Sequence, residues 1–516
     1  GILPEFWGQG FVTEAAKAVL QHGFQVCRMH SVVAATDTPN QASVRVLHSF
    51  HDPAFGFEQF FELDLLRTQY LTYYLAAHLL AYPFGVALGN KLLLAAVLLG
   101  TPCSVRYLLG ALGRDRRVAF LALPLTYNAH LVLGFFNFIA AIPLTFVGLA
   151  LAVEQRKRPR PGREALLSVL LLLAFFTHVV PFGFLAVGAL LVAVGDGARQ
   201  TLRRLAPLGP AAAGAVFWAL RSPAGQATVH AASGAGTGGG PRPLYQSPGE
   251  ALRQLASWLT DVLPVRQDEQ LLEIWAGLLI LTFVFGAVQR RGGPGDPPPP
   301  AALQRSLARR LWLLPLLAAV SYFAFPVSYD WIWPIAQRFP LLAALFLLPV
   351  VPSPRRRAAE LLAAAVLLVS ASSFFLVGRA FYRFDRDEVG EFDAALEVIP
   401  PGQRVAGLIF DRGSRQVRFS PFIHFVAYYQ ARRGGAVMFT FADFPVSPFR
   451  FREQNRPPRV RPRWEWTPER VNPARDLGWY RYVLVRGRPG VIDRQRRYYE
   501  PVHRSAHWSV WRRRER

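Results

Sequence analysis

The chain has 516 residues, 52% of them hydrophobic and 18% charged, with a formal net charge of +24. That is too apolar for an ordinary soluble protein, and a membrane class comes first. The charge does not argue for a nucleic-acid partner: the cations are nearly all arginine, accompany abundant Ala, Gly and Pro, and cluster between apolar segments, where the positive-inside rule places them.

Cys27 and Cys103 stand far apart and give neither a disulfide framework nor a cysteine-based metal site. Gly1 is not an initiator Met and no signal-peptide pattern follows it, so the chain is expected to be incomplete at its start. Residues 1 to about 50 read as a soluble segment. Thr13–Gly23 has helical periodicity with Thr13 as N-cap, His30–Thr36 reads as a strand, Asp37–Asn40 as a turn, and Ala42–Phe50 as another helix. His51–Thr68 is aromatic and acidic, without a clear period.

Apolar runs then follow at Gln69–Leu88, Lys91–Leu112, Val118–Leu133, Phe135–Leu151 and Ala165–Val194. Others lie at Ala206–Leu220, Leu271–Val288, Leu311–Pro326, Ile335–Val351 and Ala358–Val377. A helix needs about 20 residues to span a bilayer, so several of these are span-sized. The long run at 165–194 is interrupted at His178 and Pro181 and is expected to be a hairpin of two helices. Arginine-rich breaks at 114–117, 155–163, 199–204, 289–310 and 355–357 are all placed in the cytoplasm. The intervening runs then cross in pairs, loop 221–270 lies outside, and Ala358–Val377 carries the chain out again. Gln69–Leu88, with Tyr70, Tyr73, Tyr74, His78 and Tyr82, fits an interfacial surface helix better than a span. The loop 289–310 contains a stiff Pro-rich linker, 231–242 is a flexible loop, and Glu250–Leu263 is amphipathic and suits the outer surface.

Residues 379–516 alternate helical and strand-like signals, as expected of a small α/β domain: helix at Glu388–Ile399, strand at Arg404–Phe410, helix at Phe422–Arg432, and strands at Ala436–Phe441, Arg481–Val485 and Trp508–Trp511. Their arginine excess suits either a solvated surface or an anionic lipid or phosphorylated ligand. Within the apolar runs, Asn128, His130, Asn137, His178 and Arg338 are the polar residues to explain, as functional groups or as bonds between helices. Arg338 is the leading candidate, as a phosphate clamp or a snorkelling anchor.

Pro4-Glu5-Phe6-Trp7-Gly8-Gln9-Gly10-Phe11-Val12-Thr13-Glu14-Ala15 and Thr38-Pro39-Asn40-Gln41-Ala42-Ser43-Val44-Arg45-Val46-Leu47 resemble a central slice of the GNAT acetyltransferases. The resemblance implies that Gly8, Gln9, Gly10 and Phe11 form the turn that binds the acetyl-CoA pyrophosphate, through free amides at a helix N-terminus. It implies that Asn40 lies near the pantetheine arm and that Ser43 starts the following helix. Val12 departs from the usual small residue. A fifty-residue piece cannot bury a core alone, so acetyl-CoA is expected as a cofactor only if the rest of that fold is supplied.

From about residue 51 the chain resembles the polytopic GT-C glycosyltransferases. The resemblance lies mainly in layout, with Asp52-Pro53-Ala54-Phe55-Gly56, Phe176-Thr177-His178 and Gln337-Arg338-Phe339-Pro340 as accompanying phrases. It implies a polyprenyl-phosphate sugar donor used at the outer membrane face. It also implies a carboxylate in the first external loop, acting as base or metal ligand, for which Asp52, Glu58, Glu62 and Asp64 are the candidates. No metal-ligand set is assigned. The expected fold is mainly α: a bundle of about ten transmembrane helices with a C-terminal extracytoplasmic α/β domain and an N-terminal partial GNAT fragment. The expected divisions are 1–50 GNAT-like, 51–90 external loop with surface helix, 91–378 bundle, and 379–516 extracytoplasmic domain, in a bacterial inner membrane. Two other functions stay open, a membrane-tethered GNAT acyl-CoA N-acyltransferase and a non-enzymatic assembly or transport component.

Overall fold

The computed structural model describes residues 37–223, 225–226, 243–290, 299–329, 332–352, 354, 356–444, 446–458, 463–488, 490–494 and 496–515. The helix expected at Thr13–Gly23, the strand at His30–Thr36 and the turn Gly8-Gln9-Gly10-Phe11 lie outside these residues. Where a turn was expected at 37–40, the first helix, α1 (Asp37–His48), has already begun. Pro39 is tolerated there because a first-turn N–H has no intrahelical partner to lose.

The chain next makes a short strand, β1 (Phe61–Leu63), and a long helix, α2 (Leu71–Ala111). That helix is kinked at Gly85, whose φ of 72° and ψ of 163° are not helical. The kink falls close to the expected boundary between surface helix and span. Helices α3 (Phe136–Lys157), α4 (Pro161–Phe175) and α5 (Val179–Ala193) follow. The last two are the expected hairpin, and His178 caps α5 by accepting from the Val180 N–H.

Val118–Leu133 is not the expected membrane-length helix. It is a 3-10 segment, Arg116–Leu125, followed by one α turn at Ala129–Val132. Pro124 lacks a backbone donor, and Asn128 turns its amide back onto the Leu125 and Thr126 carbonyls, so a regular helix cannot run through. The segment packs beside α2, and most of its apolar side chains are buried. Its apolarity reflects burial within the protein.

Helices α6 (Gly209–Arg221), α7 (Pro248–Leu259), α8 (Gln267–Arg290), α9 (Pro299–Arg310), α10 (Leu313–Ala324), α11 (Phe339–Leu347) and α12 (Arg356–Arg383) complete the helical part. Among the described residues, five helices are long and apolar enough to cross a membrane: Leu71–Ala111, Phe136–Lys157, Gln267–Val288, Ala302–Ala324 and Arg356–Val389. Val179–Ala193 and Ala336–Val350 are shorter apolar helices. The chain is a multi-pass membrane protein with a continuous apolar core between these elements.

The C-terminal part holds α13 (Phe392–Glu397), β2 (Arg404–Ile409), α14 (Ala427–Arg433), β3 (Ala436–Val437), β4 (Phe449–Phe451), β5 (Tyr482–Arg486), β6 (Tyr499–Arg504) and β7 (Trp508–Arg513). Five of these strands form one sheet in the order β3-β2-β5-β7-β6. β2 runs parallel to β3 and β5, and β7 is antiparallel to β5 and β6. β1 and β4 pair separately, antiparallel, with Phe61 opposite Phe451 and Leu63 opposite Phe449. α1 packs against both α14 and α2, so it bridges the sheet domain and the bundle.

Candidate functional site

Arg338 ends a short 3-10 turn that leads into α11 and is 7% exposed. Its guanidinium lies 5.5 Å from the centre of the Phe135 ring and 5.9 Å from that of Phe138. Among the described residues it makes no ion pair, and its Nε is buried without a hydrogen-bond partner. The described ionisable side chains close enough to feel its charge are Tyr70, His130 and His178. Such a cation carries a desolvation cost of several kcal/mol that the two rings offset only in part.

Three separate parts of the chain build the surroundings. The segment before α2 is tied to the end of α4: the Gln69 amide donates to the Phe175 carbonyl at 3.3 Å, and the Thr72 N–H to the Phe176 carbonyl at 3.0 Å. This sets the Tyr70 ring on His178, with centroids 5.6 Å apart and planes 24° apart. His130, on the turn capped by Asn128, has Nε2 3.1 Å from the Gln337 carbonyl. A carbonyl can only accept, so Nε2 carries the proton and Nδ1 is left as a buried acceptor without a partner. His130 also stacks on Trp258 at 6.0 Å, and Trp258 meets Trp333 edge-on at 6.1 Å. The Trp258 indole N–H is likewise buried and unpartnered. An aromatic-walled site therefore holds a guanidinium and an indole donor with unused hydrogen-bonding capacity.

Three of the four loop acids have carboxylates engaged elsewhere. Asp52 Oδ1 accepts from the Ala54 N–H at 3.0 Å and closes its own turn. Glu58 pairs with His51. Glu62 pairs with Arg450, directly opposite it across the β1–β4 ladder. Asp64 is fixed through its backbone, its N–H donating to the Pro448 carbonyl at 2.9 Å, and its half-buried carboxylate lies beside Arg67. Among the described residues no three or more His, Cys, Asp or Glu gather as a metal site.

Asn40 and Ser43 are buried on α1, 3% and 1% exposed. The Asn40 amide donates to the Gly134 carbonyl at 3.0 Å, and Ser43 hydrogen-bonds the Tyr74 hydroxyl. Arg45 on the same helix donates from Nε to the Ala431 carbonyl at 2.8 Å.

Of the polar residues singled out in the apolar runs, His130, His178 and Arg338 come together, whereas Asn128 is occupied in capping. Tyr70, Trp258 and the Gln337 carbonyl were not among the sequence candidates as site groups. Trp258 sits on the amphipathic stretch expected at the surface, and the visible signal there was a large aromatic on the apolar face of α7.

The first 51 residues match the family described as acetyltransferase (GNAT) domain. No curated protein matches the chain. Among solved structures, ArnT from Cupriavidus metallidurans bound to undecaprenyl phosphate aligns over 98% of both chains at 12% identity, with a TM-score of 0.50. The same protein in its apo state aligns over the same shares at 12% identity and a TM-score of 0.43. At this identity the likeness speaks for architecture: the chain has a fold like that of ArnT, a helical membrane bundle with a C-terminal sheet domain, preceded by a segment that matches a GNAT domain.

Proposed function

We propose that the chain is a bacterial inner-membrane glycosyltransferase that takes a sugar from a polyprenyl-phosphate donor, with Arg338 holding the donor phosphate. The observation that carries this reading is the buried, unpaired Arg338 guanidinium at the start of an apolar helix, in a fold like that of a protein solved with undecaprenyl phosphate. A phosphate there would supply the counter-charge that the described residues do not, through charge-assisted hydrogen bonds. The Trp258 indole N–H would donate beside it, and Tyr70, Phe135 and Trp333 would wall an apolar ligand.

In the transfer, an acceptor hydroxyl attacks the anomeric carbon, and the bond from that carbon to the phosphate oxygen breaks. The phosphate leaves with one more negative charge, which Arg338 stabilises more strongly than it did the diester, so its effect falls on the transition state. A loop carboxylate takes the hydroxyl proton. Asp52, Glu58 and Glu62 already serve a turn or an ion pair, so Asp64 is the favoured base of the four. The same reading puts residues 379–516 outside the cytoplasm, where donor and acceptor meet.

The test is binding of undecaprenyl phosphate to the purified full chain in nanodiscs. Arg338→Gln should weaken it about tenfold or more, as expected for loss of a charge-assisted contact, and Arg338→Lys should recover part of it. Equal binding by all three proteins would sink the assignment.

The family match over residues 1–51 favours a second reading, that this segment binds acetyl-CoA through Gly8, Gln9, Gly10 and Phe11, with Asn40 and Ser43 alongside. Calorimetric titration with acetyl-CoA decides it. Micromolar binding lost in Gly10→Val supports the reading, and no heat of binding by the parent chain removes it.

A further inference from the structure

A cluster of arginines gathers at one end of the strands of the C-terminal sheet, remote in sequence from Arg338. β2 and β5 start there, β7 ends there, and β6 starts beside it, because β2 and β5 are parallel while β7 is antiparallel to β5 and β6. The ladder continues past the strand ends. The Arg481 N–H donates to the Arg404 carbonyl, the Arg513 N–H to the Arg481 carbonyl, and the Arg514 N–H to the Tyr498 carbonyl, each at 2.9 Å. Topology therefore brings arginines from three strand ends to one rim. They line a cavity of about 240 Å³ together with Arg497, Trp479 and Tyr498.

The charge in this cavity is largely unneutralised. Among the described residues Glu515 pairs with the lining Arg481, and Glu500, itself paired with Arg512, lies near enough to Arg514 to feel its charge. Arg513 donates to the Gly478 carbonyl, which fixes its direction without cancelling its charge. Arg404 lies over the Trp479 ring at 5.1 Å and Arg497 over Tyr498 at 4.6 Å. Burial, and then the neighbouring charges of Arg481 and Arg513, push the Arg404 guanidinium below its ordinary range. Like charges held together by a sheet edge cost free energy that a bound anion would recover. The volume is smaller than the roughly 300–1,000 Å³ of pockets for drug-sized ligands, so it suits a compact multivalent anion.

We propose that this rim is a binding site for a phosphate or pyrophosphate group, held by Arg404, Arg497, Arg513 and Arg514 between Trp479 and Tyr498. The group comes either from a soluble phosphorylated compound or from the headgroup of an anionic lipid or lipid-linked acceptor.

The test uses the full chain in detergent carrying Arg338→Gln, so that the buried site contributes nothing. It is titrated with inorganic pyrophosphate and, separately, with short-chain phosphatidic acid. Arg404→Gln and Arg497→Gln are each added to that background; Arg497 lies in an exposed segment, so this variant keeps the test valid if Arg404→Gln misfolds. The expected result is binding that weakens about tenfold with each variant, while the ligand-free melting temperature stays put. Preference for pyrophosphate assigns a soluble source, and preference for phosphatidic acid assigns a headgroup. Binding of neither anion, or affinities that ignore both substitutions, overturns the proposal.

Discussion

Arg338 and Asp261 show how a single buried charge is read differently by its neighbours. Among the described residues, every ionisable group close to Arg338 is a Tyr or a His, so the charge has no partner within them. Removing the Trp258 indole donor while keeping the ring bulk is difficult, but Trp258→Phe loses the N–H and retains the stack on His130. That substitution should reduce donor-lipid binding by about tenfold or more, the range for one hydrogen bond to a charged group, with little change in unfolding temperature; unchanged lipid affinity would remove Trp258 from the site. Asp261 instead has a partner, Arg418 at 2.8 Å, yet burial and the nearby Asp268 push its pKa up to about 6. An acid raised in the folded state stays protonated while its unfolded counterpart ionises, so stability falls as pH rises from about 4 to about 6 and is level above that, with a slope of at most about 1.4 kcal/mol per pH unit. Asp261→Asn should flatten that window in a series of melting curves, and an unaltered slope would show that another group controls it.

At the scale of elements, α2 depends on Gly85. Its φ and ψ lie in a region that only glycine occupies readily, and a Cβ there would meet no atom within 4 Å. The cost of Gly85→Ala is therefore one of backbone strain alone, on the order of 1–3 kcal/mol. Denaturant unfolding in mixed micelles measures it, and a wild-type midpoint would mean that the kink relaxes freely. Pro83, two residues before Gly85, removes a helical donor and is the local sign of a kink in an otherwise apolar, helix-forming stretch. Composition placed a change of role near 88–91, but it took the backbone angle to put the bend at Gly85. The Arg116–Leu125 segment shows the opposite outcome. Hydropathy marked it as span-like, because hydropathy measures removal from water and does not separate lipid from protein interior. Pro124 and Asn128 were the local signs that a regular helix would fail.

Across the whole molecule, the loop carrying the candidate acids is held by the C-terminal domain. Phe61 is fully buried, meets Phe449 at 5.3 Å and Phe451 at 4.9 Å, and lies in the β1–β4 ladder. The Arg452 guanidinium reaches the Glu58 carbonyl at 2.8 Å, and the Asn455 amide reaches that of Gln59 at 2.6 Å. Phe60 in turn touches Trp479, a wall of the arginine-lined cavity. Phe61→Ala should cost about 3–5 kcal/mol if the whole structure unfolds as a unit. If the ladder opens locally, hydrogen exchange will rise in residues 57–64 and 447–455 together while the bundle stays protected. Exchange rising in only one of the two segments would break the proposed coupling between loop and domain.

The amino-acid sequence by itself determined the membrane class, the hairpin at 165–194 with its break at His178, most strands of the sheet domain, and Arg338 as the polar residue to explain. Each is a local property, fixed by hydrophobic run length, by a capping side chain, or by a charge inside an apolar stretch. Only the tertiary structure decided that β1 pairs with a strand almost four hundred positions away, and that α1 bridges bundle and sheet. It also decided that Tyr70, His130, His178 and Trp258 surround Arg338. Those arrangements rest on contacts between distant segments, where a short strand such as Phe61–Leu63 gains stability only once its partner is in place, so nothing in its own three residues could announce it.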